Sequence, residues 1–151
     1  MSELFNIETA LRAGALSGTV IFVLILLARK MKICSINYLI LIGSVFTGKK
    51  DSGTEMIGFM THLVACTIFA IVYAVVFSLL QSSGWFPGTI LASVHLVISS
   101  TILFLAALAR PSLRKELWPF SEHHHPVCNV VIFVVLHFVF GITNGILYHI
   151  I

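Results

Sequence analysis

The sequence predicts an all-α integral membrane four-helix bundle, a single transmembrane domain over residues 1–151. Three observations carry that prediction. The chain is 58% hydrophobic and only 10% charged, whereas a soluble domain of this size carries about 25% charge. Its apolar residues gather in four stretches, each near the roughly 20 residues a helix needs to cross a bilayer. The second and fourth stretches also share one helical face, His62, Cys66, Ala70 and Tyr73 in one and His137, Gly141, Gly145 and Tyr148 in the other. The steps are four, four and three in both, so at about 100° per residue each set of side chains lies along one side of its helix.

The spans fall at about 10–30, 56–80, 86–109 and 127–150. They use most of the chain and leave no room for a separate soluble domain. Residues before the first span are polar, with Glu3 and Glu8, and lack the basic start and apolar core of a cleaved signal peptide. They read as a short amphipathic lead-in. The first span closes on Arg29, Lys30 and Lys32, whose stems can snorkel to lengthen its apolar core. Gly14 and Gly18 are four apart, a spacing that lets a second helix approach closely.

The next segment, about 33–47, is apolar but only half to three-quarters of a span long. Basic residues flank it on both sides, Lys30 and Lys32 before it and Lys49 and Lys50 after it. A crossing would strand one cluster on the wrong side, so an interfacial or re-entrant segment is expected. Gly48–Glu55 reads as a polar turn into the second span. The uncharged turn Gln81–Gly88 is short enough to join antiparallel neighbours, with Trp85 as an interfacial anchor. On the third span Gly88, Ala92, His95 and Ser99 follow helical spacing and make a small, polar face.

Lysine and arginine set the orientation. Arg29, Lys30, Lys32, Lys49, Lys50, Arg110, Arg114 and Lys115 all lie in the two loops after spans one and three, while Arg12 stands alone on the opposite side. The positive-inside rule then puts those loops in the cytoplasm and both termini away from it. Spans one–two and three–four read as two hairpins, and the repeated His-to-Tyr face suggests that they are duplicates related by an axis along the membrane normal.

Several function classes are excluded or weakened. The net charge of +3 forms no long basic cluster with interleaved aromatics, so nucleic acid is not expected as a partner. Cys34, Cys66 and Cys128 are odd in number and contain no C-x-x-C, which argues against a disulfide framework. No G-x-S-x-G, H-E-x-x-H or Walker loop occurs, so no catalytic activity is expected of the chain alone. No aspartate or glutamate lies within a span, which weakens an ion-coupled transporter.

The residues left to carry chemistry are the intramembrane histidines, His62, His95 and His137. At about 1.5 Å per residue, His95 and His137 lie at similar depth near the midplane, and His62 is displaced from them by roughly two turns or less. Paired histidines on facing helices can ligate haem b. One can ligate a chlorophyll-type pigment, and two or three can hold a transition metal. Alternatively each imidazole hydrogen-bonds a carbonyl or hydroxyl and holds the bundle together, or the three form a proton or ion path. The small residues beside them, Gly14, Gly18, Cys66, Ala70, Gly88, Ala92, Gly141 and Gly145, favour close helix approach and leave little room for a porphyrin. A second tract, His123, His124 and His125 with Cys128, can bind metal if its loop allows, and is otherwise a solvated loop. Tyr148 is expected in the interfacial aromatic belt.

The G-x3-G of the first span, the basic stop, the short L-I-G-S-V-F segment at 41–46 and the two H-x3-small-x3-small-x2-Y helices resemble a group of small bacterial four-span inner-membrane proteins whose activity is uncharacterised. That resemblance implies the fold and an inner-membrane location and carries no catalytic role. The function expected from the sequence is an accessory or structural subunit of a larger membrane complex, with an electron-transfer or photosynthetic complex as the natural host for buried histidines. The alternative is a small transporter, channel or metal-handling protein that uses the same histidines. Expected partners are the lipid bilayer and other membrane subunits.

Overall fold

Residues 5–33, 37–109 and 126–151 are described by the computed structural model. They form α1 (Ile7–Lys30), α2 (Tyr38–Thr47), α3 (Ser52–Leu80), α4 (Trp85–Ala109) and α5 (Pro126–Ile150). All but α2 are long and apolar enough to cross a membrane, the make-up of a multi-pass membrane protein. The large apolar side chains on their outer faces, such as Val64, Val97 and Leu79, are more than half exposed. In water that surface would be unfavourable; in a bilayer it is the ordinary lipid-facing side of a bundle.

The helices start where their caps allow. Asn6 caps α1, its side-chain oxygen accepting the Thr9 N–H at 3.0 Å. Asp51 caps α3 and accepts both the N–H of Thr54, at 2.8 Å, and its hydroxyl, at 2.9 Å. This cap corrects the expected turn over Gly48–Glu55. Ser52, Gly53, Thr54 and Glu55 already belong to α3, and only 48–51 turn, with Gly48 in the left-handed region at φ 68°. An acidic residue ahead of a polar first turn is a helix start, a signal that the surrounding polar composition hides.

These Thr54 hydrogen bonds, the backbone N–H first and then the hydroxyl, hold the Asp51 carboxyl below the usual carboxylate range. A carboxylate lowered on folding contributes stability above its unfolded-state value, and that contribution is lost as pH falls through the lower folded-state value. Asp51→Asn keeps an acceptor oxygen but does not titrate. Thermal midpoints in one detergent are therefore expected to converge, wild type falling toward the variant as pH drops below about 4. Parallel curves over that range would show that the cap carries no charge-dependent stability.

α2 forms from the later part of the short apolar segment. Ten residues rise about 15 Å, half of a hydrocarbon core. The helix lies antiparallel against the start of α3, with Gly43 and Gly58 in backbone contact and Leu39 beside Gly58. The Tyr38 hydroxyl donates to the Asn129 carbonyl near the start of α5. Arg29 at the end of α1 pairs with Glu55, which also accepts from Asn37 at 3.0 Å.

Two tight seams organise the rest. Along α1 and α3, a Cβ added at Gly14 would come within 2.6 Å of the Ala70 Cβ, and one added at Gly18 within 3.0 Å of the Cys66 Cβ. Along α4 and α5, Gly88 and Ala92 meet Gly141 and Gly145 so closely that the Gly141 backbone rests on the Gly88 carbonyl. The hairpins join mainly through α1 against α5, while α3 touches α4 and α5 only lightly. The ends near both termini are tied by the Asn6 N–H, which donates to the Tyr148 hydroxyl oxygen at 3.0 Å. Tyr148 is therefore buried at a helix contact, at 7% exposure, and not in an interfacial belt. Trp85, at the start of α4, is 63% exposed as an interfacial anchor would be.

Candidate functional site

The light contact between α3 and α4 follows from side-chain size. Toward the terminal end, glycines and alanines draw the helices of each hairpin together. Toward the end with the basic loops, the large side chains Phe46, Leu103 and Phe133 line the space between the helices, with Phe69 at mid-bundle, and α2 is inserted at the flank. The result is a cavity of about 320 Å³ running from mid-bundle toward that end, lined by all five helices.

His62, His95 and His137 all line it. His95, on α4, lies with its ring centroid 4.8 Å from that of His137 on α5, edge to face at 72°. Phe69 stacks on the other side of His95 at 3.5 Å, and Phe140 meets it edge-on at 5.4 Å. His62 sits on the α1–α3 seam. Its Nε2 is 3.2 Å from the Gly18 carbonyl oxygen, and the Cys66 Sγ lies 3.6 Å from Nε2 and 3.8 Å from Nδ1. In a neutral imidazole the nitrogen facing a carbonyl carries the proton, so His62 donates from Nε2 and its Nδ1 keeps the lone pair. The same argument assigns His137, whose Nδ1 is 2.8 Å from the Phe133 carbonyl oxygen. Its proton is on Nδ1 and its lone pair on Nε2. His95 differs, because its Nδ1 is buried with no hydrogen-bond partner among the described residues.

These contacts bear on what the site can hold. With Fe–N bonds of about 2 Å, two axial imidazoles face each other across a macrocycle. Here the two rings touch edge to face between Phe69 and Phe140, and no slot for a porphyrin lies between them. Among the described residues no group of three His, Cys, Asp or Glu side chains is placed to hold a metal ion. Cys128 is half-buried near the start of α5, and His123, His124 and His125 lie outside the described residues.

Beyond Phe140 the bundle is closed by aromatics. Tyr73 meets Phe140 at 5.8 Å and Phe77 at 6.0 Å, and Phe77 meets Tyr148 at 5.5 Å. Tyr73, three turns along α3 from His62, thus reaches the other hairpin's histidine, with centroids 6.2 Å apart from His95. Sequence reasoning passed over Phe69, Tyr38 and Asn144. The first two form cavity wall, and Asn144 is fully buried in α5. Phe69 had a signal, since it lies on the same helix as His62, two turns on. An aromatic in an apolar run does not otherwise stand out.

The fold and site together define a multi-pass membrane helical bundle with a histidine-lined internal cavity. No family model matches the chain, and no significant match to it is found among curated proteins or solved structures.

Proposed function

We propose that this chain is a small multi-pass protein of the bacterial inner membrane that binds one small, mainly apolar molecule inside its bundle, with the basic loops on the cytoplasmic side. The observation that supports this reading is the convergence of His62, His95 and His137 on one mainly apolar cavity, to which Thr61 and Ser99 also contribute. Small-molecule sites are mostly apolar concavities of about 300–1,000 Å³ with a few placed polar groups, and this cavity meets that description at the small end. Its mouth includes Phe46 and Ile102, 61% and 54% exposed. An apolar mouth suits a molecule dissolved in the bilayer better than one arriving from water.

A channel or transporter reading is less well supported, because the lining ends at the aromatic plug of Tyr73, Phe77 and Phe140. A metal-handling reading lacks a third ligand among the described residues. Membership of a larger electron-transfer or photosynthetic complex agrees with the binding reading and adds a protein partner on the exposed apolar flanks.

The test is a cavity-filling substitution. Ala65 lines the cavity, and Ala65→Trp places an indole in it. Wild-type protein in lipid vesicles is expected to enhance an environment-sensitive lipophilic dye saturably, and Ala65→Trp to lose most of that signal while keeping its helical circular dichroism. Equal saturable enhancement by both proteins would overturn the reading. So would stoichiometric haem or transition metal in the protein from its native membrane, lost in His95→Phe.

A further inference from the structure

We propose, resting on the cavity as a binding site, that its occupant is a membrane-dissolved alcohol or phenol whose single hydroxyl sits between His95 and His137. The argument is an inventory of donors and acceptors. His137 spends its one N–H on the Phe133 carbonyl at 2.8 Å, so what it offers a ligand is the Nε2 lone pair. His95 is 8% exposed and its Nδ1 has no partner among the described residues. A buried N–H without a partner is rarer than an under-satisfied acceptor, so the lone pair belongs on that Nδ1 and the proton on Nε2. The two touching rings then present one acceptor and one donor.

A hydroxyl complements both at once. It donates to His137 and accepts from His95. A ketone or ether can use only the donor and leaves the His137 lone pair unpaired. A carboxylate would face that lone pair, and among the described residues no lysine or arginine lines the cavity to neutralise it. His62 does not enter this recognition, because its Nε2–H is held by Gly18 and the Cys66 sulfur lies against its ring, 3.6 Å from Nε2 and 3.8 Å from Nδ1. Thr61 and Ser99 add hydroxyls to the wall and the Tyr38 hydroxyl is engaged by Asn129, while most of the remaining wall, including Phe133, Leu136 and Leu103, takes an apolar body.

The experiment uses three matched probes of one ring system with the full chain in lipid vesicles: 2-naphthol, 2-methoxynaphthalene and 2-naphthoic acid. Affinities are corrected for partition into protein-free vesicles. Naphthol is expected to bind roughly tenfold more tightly than its methyl ether, the worth of one hydrogen bond to a buried group that is otherwise unpaired, and the acid more weakly than either. In His137→Phe the preference for naphthol over the ether is expected to vanish while the ether still binds. Histidine ¹⁵N shifts of the wild-type protein give a readout independent of any variant, with His137 protonated on Nδ1 and His95 on Nε2. Equal binding of naphthol and ether overturns the hydroxyl assignment and leaves the cavity reading standing, as does tightest binding of the acid. Binding of all three that is unchanged in Ala65→Trp overturns both.

Discussion

Gly141→Leu is expected to lower the thermal midpoint of the detergent-solubilised protein by roughly 10 °C. A Cβ at this position would land on the Gly88 carbonyl oxygen and come within 2.6 Å of the Ala92 Cβ. Neither is the end of a flexible side chain, so the two helices must separate to admit even a methyl group. Overpacking a tight contact costs about 3 kcal/mol at its upper range, and each kcal/mol shifts the midpoint by about 2–4 °C in a chain of this size. The control is Val135→Leu on the same helix, 48% exposed on the outer face, where a change within about 0.5 kcal/mol is expected. The substitution also reaches the site. His95 lies one turn from Ala92 on α4, and His137 one turn from Gly141 on α5, so parting the seam parts the two imidazoles. Loss of stability and loss of dye binding should therefore appear together. A midpoint equal to that of Val135→Leu would show that the α4–α5 seam does not hold the hairpin.

That coupling between seam and site explains how much was legible in the sequence. Span number came from composition, since no other arrangement hides so many apolar residues in so short a chain. The faces came from spacing: residues four apart must share a side of a helix whatever lies opposite, which is why Gly14 and Gly18 could be named before their neighbours Ala70 and Cys66 were seen beside them. What spacing cannot give is the identity of the opposing face. Depth put His95 level with His137, but the order in which helices neighbour one another decides whether two level side chains meet. Here α4 packs along α5, and they do. The cavity was illegible for a related reason. It is a difference between two helix separations, close at the small residues and wide at Phe46 and Phe133, and no single segment records a difference. Tyr148 was misplaced because an aromatic near a helix end has two uses, belt and contact, and the Asn6 N–H that selects between them lies 142 positions away.

Asn144→Leu is expected to raise the thermal midpoint, which is unusual for a change at a fully buried residue. Asn144 has 0% exposure, and neither its Oδ1 nor its Nδ2 has a hydrogen-bond partner among the described residues. An amide desolvated without compensation costs about 1–3 kcal/mol. Leucine matches asparagine in the number and branching of its side-chain heavy atoms and carries no polar atom, so it removes that cost without opening a void, at the smaller cost of fitting two bulkier methyl groups. At about 2–4 °C per kcal/mol, a gain of several degrees follows. Asn144→Ala separates the two contributions, because it also removes the amide but leaves a hole, and it should fall below Asn144→Leu by the cavity cost of a few kcal/mol. The sign is the discriminating result. If Asn144→Leu lowers the midpoint, the amide has a partner, and a buried water is the group that fits. Ser17 Oγ and Tyr73 OH are buried without partners in the same way, on α1 and α3. Each would then be a candidate second contact for such a water, and the centre of the bundle would be a polar core held by solvent. A rise in the midpoint assigns the opposite character to that half of the protein. It is then held mainly by close backbone contact and aromatic stacking, with the Asn6–Tyr148 hydrogen bond at its end, and the ligand-binding polar groups are those of the histidine-lined cavity.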